Sequence, residues 1–259
     1  MKNNEVLKVI CLVGIGFTLF FFLDYNFKGI KLWFDIYTQQ GLLSYIITYF
    51  IVGIPIFIAT ILINNQLNFF KSLGLNSNIL LAICISILFT MPLFIGGAIF
   101  FNFNKDIDIQ KLIASTLVAG FMEELYFRGF LFGQLFKNTK IGFIPSLFFG
   151  ALIFASEHLY QSQSVNELFG IFAVTFLGAF FFAWLFVEWN YNLWVPILTH
   201  TLMNFAWQIF NINSNALGNI TANIFRGLTI LLAIIFTVLY KKYKNKTLLI
   251  TKNTLFINK

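Results

Sequence analysis

Charged residues are scarce in this chain of 259 residues: they make up 10% of it, whereas hydrophobic residues make up 59%. A typical soluble domain carries about 25% charged residues, so the composition excludes an ordinary soluble protein. The remaining polar sequence is too short for a sizeable soluble domain beside the membrane part. We therefore predict an all-α, polytopic integral membrane protein that forms a single membrane domain over residues 1–259.

Cysteine and histidine are rare as well. The two cysteines, Cys11 and Cys84, fall within apolar runs, which excludes a disulfide framework and a cysteine-based metal site. The two histidines, His158 and His200, do not form the His-Glu-x-x-His helix motif of zinc metalloproteases. No Gly-x-Ser-x-Gly turn is present and every aspartate falls outside the apolar runs, so serine and paired-aspartate intramembrane mechanisms lack their usual residues.

Long apolar runs dominate what is there. A membrane-spanning helix needs about 20 mostly apolar residues, and eight runs approach this length. They cover residues 6–23, 42–63, 79–101, 109–136, 141–158, 168–187, 193–210 and 220–240. We therefore predict a bundle of about eight transmembrane helices, with kinks at Pro55 and Pro92. Residues 27–37 mix Lys and Asp with Trp and Phe, which is typical of a short amphipathic helix at the membrane interface.

The net charge of +7 does not indicate nucleic acid, because the lysines lie at the ends of the runs and in the segment Lys241–Lys246. Lysine clustered on one side of the membrane is typical of the cytoplasmic side. Eight spans place both termini on the same side, and that side carries more lysines. We predict a multi-pass protein of the bacterial plasma membrane, with both termini cytoplasmic and the lipid bilayer as its environment.

The first polar island within an apolar run is Glu123-Glu124-x-x-x-Arg128. Ionisable groups near the bilayer centre are costly and usually functional. Glu124 and Arg128 lie four residues apart on one helix face and can pair, whereas Glu123 is turned about 100° away. The two carboxylates should therefore have different environments. The alternative is a structural ion pair with a spare glutamate.

Two further islands have the same four-residue spacing, Phe154-x-x-x-His158 and His200-x-x-x-Asn204. Each could serve chemistry, or it could be a satisfied structural histidine or a source of hydrogen bonds between helices. From a rise of about 1.5 Å per residue, Glu123 and His158 should lie at matching depth, about 20 Å from the inner helix ends, and His200 at about 10 Å. We expect Glu123, His158, His200 and Asn204 to converge on one cavity that opens toward the cytoplasm. The neighbouring Glu157 should face the loop and water.

These three motifs, in this order on separate helices, resemble the CAAX prenyl endopeptidase and bacteriocin-processing (CPBP) family of intramembrane proteases, also called the abortive-infection family. The resemblance covers residues 112–210. It implies that Glu123 and His158 activate a water molecule and that His200 and Asn204 stabilise the oxyanion. It also implies that Glu124, Arg128 and Phe154 support the site.

The resemblance leaves the metal and the substrate open. The family is commonly labelled metalloprotease, yet a metal-free glutamate mechanism is also argued for it. If a divalent metal such as zinc is bound, Glu123, His158 and His200 would be its ligands, as in three-ligand catalytic sites. The implied substrate is a peptide or protein, prenylated in the eukaryotic relatives, whereas some bacterial relatives are linked to bacteriocin maturation or self-immunity.

Two other functions remain open for the same residues. A proton-coupled transporter could use Glu123, His158 and His200 as a relay, although we find no inverted repeat of the kind that transporters carry. A non-catalytic immunity or binding protein could keep the fold and the motifs without the activity.

Overall fold

The computed structural model describes residues 3–258, so Met1, Lys2 and Lys259, which belong to the predicted domain, lie outside it. The described residues are almost entirely helical, and the one β-bridge among them joins Ile141 to Ile257. This confirms the all-α fold class. The α-helices are α1 Asn3–Asp24, α2 Phe27–Thr38, α3 Gly41–Val52, α4 Ile54–Asn64, α5 Phe69–Leu73, α6 Ile79–Phe100, α7 Ile109–Ile113, α8 Ala119–Glu123, α9 Gly133–Asn138, α10 Phe143–Ser156, α11 Val165–Glu188, α12 Trp194–Ile209 and α13 Ile220–Tyr243.

Five helical segments in the described range are long and apolar enough to cross a membrane. They are Asn4–Asp24, Ile79–Phe100, Phe143–Gln161, Val165–Glu188 and Ile220–Tyr243. The pair α3 and α4 adds a sixth, bent by 43°. The bend falls at Gly53 and places Pro55 in the first turn of α4, where its missing N–H leaves no extra gap in the hydrogen bonding. A helical polytopic membrane protein is thus confirmed, and the count of eight spans stays a prediction.

The fourth predicted span is a helix of mixed geometry. Between α7 and α9 it contains two π-helical segments, π1 over Ala114–Val118 and π2 over Glu124–Phe132. Wider π-helical turns are rare and concentrate at functional sites. The first polar island lies where α8 meets π2, and every residue of π2 except Leu131 is buried. This helix packs against α10, α11 and α12, so its polar residues face the interior of the bundle.

The helices run between two ends of the molecule, here named end A and end B. End A contains residues 3–8, 64–78, 137–142, 188–193 and 241–258. End B contains residues 24–41, 101–111, 157–165 and 210–220. The predicted interfacial helix is α2 at end B, and none of its residues is buried.

The seventh predicted span, α12, begins inside the protein. The Leu193 N–H donates to the Gly74 carbonyl at 3.1 Å, and the Trp194 indole N–H donates to the Leu75 carbonyl at 3.0 Å. Gly74 has a φ of +83°, which glycine adopts without steric cost. Because α12 starts beneath the 69–75 segment, His200 lies deeper than its seven-residue distance from the predicted start suggests.

A C-terminal segment, residues 249–258 (the tail), folds back onto end A. The tail carbonyls of Phe256, Thr254 and Leu255 accept from the N–H groups of residues 142, 143 and 144 at 3.0, 2.9 and 2.9 Å. Those N–H groups open α10, which has no side-chain cap, so the tail satisfies them. The buried Glu188 carboxylate accepts from the N–H of Leu249 at 3.0 Å and of Ile250 at 2.8 Å, and it also pairs with Lys241.

Candidate active site

Glu124 is the anchor of the polar cluster. Its Oε1 lies 3.4 Å from Arg128 Nη1 and 2.9 Å from His200 Nδ1. The side chains of Glu124 and Arg128 are both 0% exposed. The pair expected from the four-residue spacing is therefore present. The second partner, His200 on α12, was not predicted, and it joins the first polar island to the third.

Two phenylalanine rings enclose the Arg128 guanidinium. Its Cζ lies 4.4 Å from the centre of the Phe154 ring and 5.7 Å from that of Phe182. Phe182 also stacks on the His200 ring at 4.9 Å between centroids. Cation–π contacts are strongest where water is excluded, so these rings compensate part of the cost of burying the charge. The chain has 36 phenylalanines, and nothing in the sequence distinguishes Phe182 from the others, so its place in the site could not be predicted.

Glu123, in contrast, is accessible to solvent. Its side chain is 25% exposed and lines a large cavity, and its Oε2 lies 3.9 Å from His200 Nε2. Successive residues of a helix are rotated by about 100° around its axis. Glu123 therefore faces the cavity, whereas Glu124 faces the protein interior. A carboxylate that water can reach beside an imidazole is suited to accept a proton.

His158 and Asn204 lie on the same cavity wall. His158 follows the end of α10, which stops at Ser156 rather than at the predicted residue 158. Its Nδ1 lies 2.7 Å from the Phe154 carbonyl. Asn204 donates from Nδ2 to the Ser115 carbonyl in π1 at 3.4 Å. In both histidines Nδ1 is engaged by an oxygen, which leaves Nε2 as the ring nitrogen available for chemistry.

The cavity that these residues share has a volume of about 1130 Å³ and extends from Glu123 to the loops of end B. Small-molecule pockets usually measure about 300–1,000 Å³, so a peptide segment fits. Tyr160, at the rim, is 80% exposed. The mouth therefore lies at end B, opposite the end that holds residues 3 and 258. The expectations of cytoplasmic termini and of a cavity open to the cytoplasm cannot both hold.

The site falls within a segment that matches a known family. Residues 106–206 match the family model described as Type II CAAX prenyl endopeptidase Rce1-like. Residues 106–206 belong to this family. The match confirms the CPBP resemblance over this Rce1-like segment, which contains all three polar islands.

One curated relative supports the assignment. The chain is 32% identical over 96 residues to a Bacillus subtilis (strain 168) protein named "Putative membrane peptidase YdiL". The matched stretch is 36% of this chain and 34% of that protein, so the chain spans about a third of the length of the curated relative it matches. No solved structure matches the chain.

Three cavity residues escaped the sequence analysis or were placed wrongly by it. Asp24, the last residue of α1, lines the cavity although it follows its apolar run. Glu157 lines the cavity too, whereas we expected it to face the loop and water. Arg226 on α13 also lines the cavity; its guanidinium lies 4.3 Å from the Trp207 ring centre and donates to the Ala216 carbonyl at 2.8 Å. The Rce1-like segment thus shares its cavity with residues from α1 and α13.

The side chains do not fit a metal site. Within residues 3–258, no group of three or more His, Cys, Asp or Glu side chains lies close enough to share an ion. Of the proposed ligands, Glu123 and His200 approach each other directly, and His158 does not complete a group of three with them. A three-ligand zinc site needs all its donors about 2.0–2.2 Å from the metal. We therefore derive no catalytic step through a metal.

Proposed function

We propose that the Rce1-like segment is an intramembrane endopeptidase that hydrolyses peptide bonds with a water molecule activated by Glu123. The observation that carries the proposal is that the two adjacent carboxylates have different environments. Glu124 is buried and bound to Arg128 and His200, whereas Glu123 opens into the cavity beside His200. A purely structural ion pair would not require the second, solvent-accessible carboxylate.

In the first step, Glu123 accepts a proton from a water molecule in the cavity, and His158 helps to orient that water through Nε2. The resulting hydroxide attacks the carbonyl carbon of the substrate. Glu123 then transfers the proton to the leaving amine as the C–N bond breaks. General acid–base catalysis of this kind contributes roughly 10²–10⁴-fold to a rate.

His200 and Asn204 stabilise the oxyanion that forms on the substrate carbonyl. Because the Glu124 carboxylate accepts from His200 Nδ1–H at 2.9 Å, His200 donates from Nε2 to the oxyanion in its doubly protonated form. The Asn204 amide supplies a second donor from the adjacent turn of α12. Fixed donors aimed at the developing charge are usually the largest electrostatic contribution to catalysis. Glu124 balances the charge when the His200 ring carries both protons.

The substrate is a peptide or protein segment that reaches the site from the lipid bilayer or from its surface. Whether this segment carries a lipid, as in prenylated CAAX substrates, is part of the proposal to be tested. We keep the chain as one membrane domain, because α1 and α13 complete the cavity that the Rce1-like segment begins.

The proposal is tested by cleavage of quenched fluorescent peptides, with and without a prenyl group, by purified protein in detergent. Glu123→Gln should lower the rate about 10²–10⁴-fold, because it removes the base and keeps the shape. The matched control is Asp106→Asn, the same chemical change at an exposed position of end B, which should keep the wild-type rate. A Glu123→Gln protein as active as the wild type would disprove the mechanism.

A chelator provides a second arm of the same assay. Because the proposed ligands do not form a group of three among the described residues, wild-type cleavage should survive EDTA. Restoration by added zinc after a loss would contradict the metal-free route. If the wild type cleaves no peptide of either kind, the non-catalytic immunity or binding function becomes the better hypothesis.

A further inference from the structure

The lysines of this protein are distributed unequally between its two ends. Within residues 3–258, end B contains Lys28, Lys31, Lys105 and Lys111, whereas end A contains nine lysines. The nine are Lys8, Lys71, Lys137, Lys140, Lys241, Lys242, Lys244, Lys246 and Lys252. An excess of Lys and Arg in short loops and near helix ends marks the cytoplasmic side of a membrane protein.

The imbalance survives a stricter count. Lys241 pairs with Glu188, and Lys137 donates to the Ser72 carbonyl. Leaving both out still gives end A seven lysines against four. Two of the four at end B, Lys31 and Lys111, have acidic partners, at 2.7 and 3.7 Å. End A is therefore the end that the positive-inside rule assigns to the cytoplasm.

The cavity, however, has its mouth at end B. From Glu123 it passes between Asp24, Tyr45 and Tyr160, all at or near that end. Toward end A the path is closed by tightly packed aromatic side chains. Phe130, Phe132, Phe136 and Phe186 are at most 2% exposed, and Arg128 below them is fully buried. A substrate can therefore not enter through end A, whereas the cavity is open at end B and reaches the exposed Leu177 on the side of α11.

Taken together, we infer that the catalytic cavity opens on the extracytoplasmic face of the membrane, and that its substrates are peptide segments that have already crossed it. This inference rests on the proposed function for its substrate class, but the orientation stands on geometry and charge alone. Peptides that stay in the cytoplasm, including a CAAX motif at a cytoplasmic C-terminus, would not reach Glu123 in the cell. The proteolysis would act on secreted or surface-anchored chains.

Cysteine labelling tests the orientation independently of activity. In a background with Cys11→Ala and Cys84→Ala, single cysteines are introduced by Gln163→Cys at end B or Asn253→Cys at end A, both at exposed positions. Spheroplasts are treated with a membrane-impermeant maleimide before and after lysis. We expect Gln163→Cys to be labelled on intact spheroplasts and Asn253→Cys only after lysis. The reverse pattern, or equal labelling of both before lysis, would overturn the inference.

A second pair of variants guards against local misfolding. Asn102→Cys at end B and Asn245→Cys at end A are also exposed and should repeat the result. The detergent assay separates the two proposals. Labelling as expected without peptide cleavage would refute the protease and its substrate class and leave the orientation standing. Cleavage with reversed labelling would refute the extracytoplasmic mouth and leave the protease standing.

Discussion

Two buried ion pairs, one in the middle of the bundle and one at end A, use the same chemistry for different purposes. Glu124–Arg128 joins residues four apart on one helix, while Glu188–Lys241 joins residues 53 apart on α11 and α13. The difference lies in what else each carboxylate binds. Glu124 holds the ring of His200, whereas Glu188 holds the backbone of the tail. The first pair thus positions the His200 ring, and the second attaches the tail to end A.

The largest effect should come from breaking the central pair. Arg128→Met leaves Glu124 as a buried, partly compensated charge, and removal of one partner of such a pair costs about 3–5 kcal/mol of the free energy of unfolding. Peptide cleavage should fall as well, because Glu124 also orients His200. Denaturant titration in detergent gives the first quantity. The double variant Glu124→Gln with Arg128→Met should be more stable than the single one, and an equal or larger loss would contradict the pairing.

Breaking the pair at end A should have a smaller effect. Glu188→Gln weakens charge-assisted hydrogen bonds, which are worth about 1.5–3 kcal/mol each, but the long Lys241 side chain at a helix end can reach water. We expect a loss of about 1–3 kcal/mol in the free energy of unfolding and faster trypsin cleavage within residues 244–252. Peptide cleavage should stay at the wild-type rate. A parallel loss of peptide cleavage would mean that the two pairs are coupled.

The aromatic rings that pack against Arg128 should contribute still less to the free energy of unfolding. Phe154→Leu removes the nearer ring, and a desolvated cation–π contact is worth about 2 kcal/mol. The matched control is Phe89→Leu, at an equally buried ring in a separate cluster that contacts no cation. The excess loss in the free energy of unfolding of Phe154→Leu over this control isolates the cation–π contribution. No excess would assign the Phe154 ring to packing alone.

The smallest effect should come from the partly exposed pair Lys31–Asp35 in α2, which sharpens the contrast with the buried pairs. Lys31→Gln removes an ion pair between residues four apart on the helix surface, and such pairs contribute little to stability because water and salt screen them. Thermal unfolding in detergent should show almost no change, and added salt should abolish the difference. A clear drop in melting temperature that persists in high salt would place this pair among the structural ones.

Local spacing explains what the sequence could predict. The apolar runs located the helices, and the four-residue spacing located the pair between Glu124 and Arg128, because both depend on residues of one helix. The contact of Glu124 with His200 spans 76 residues, and that of Glu188 with Lys241 spans 53. Such contacts depend on how the helices pack, and no single-sequence period encodes this.

The expectation that Glu157 faces the loop and water was wrong for the same reason. Glu157 faces the cavity because α10 ends two residues before His158 and the chain turns there. The side on which the cavity opens depends on the aromatic packing that closes end A, and phenylalanines spread through every apolar run give no sign of it. The π-helical turns beside Glu123 and Ser115 likewise have no pattern in the sequence.

The tail has a consequence for the order of events during synthesis. The N–H groups that open α10 find their acceptors in residues 254–256, about 110 positions later in the chain. At about 5–20 residues per second, a ribosome needs roughly 6–22 s to reach them. During that time the nascent α10 has an open first turn, which water or lipid head groups must satisfy. Ribosome-stalled chains that stop before residue 254 should therefore hold this end of α10 in a state that proteases and hydrogen exchange can distinguish from the finished protein.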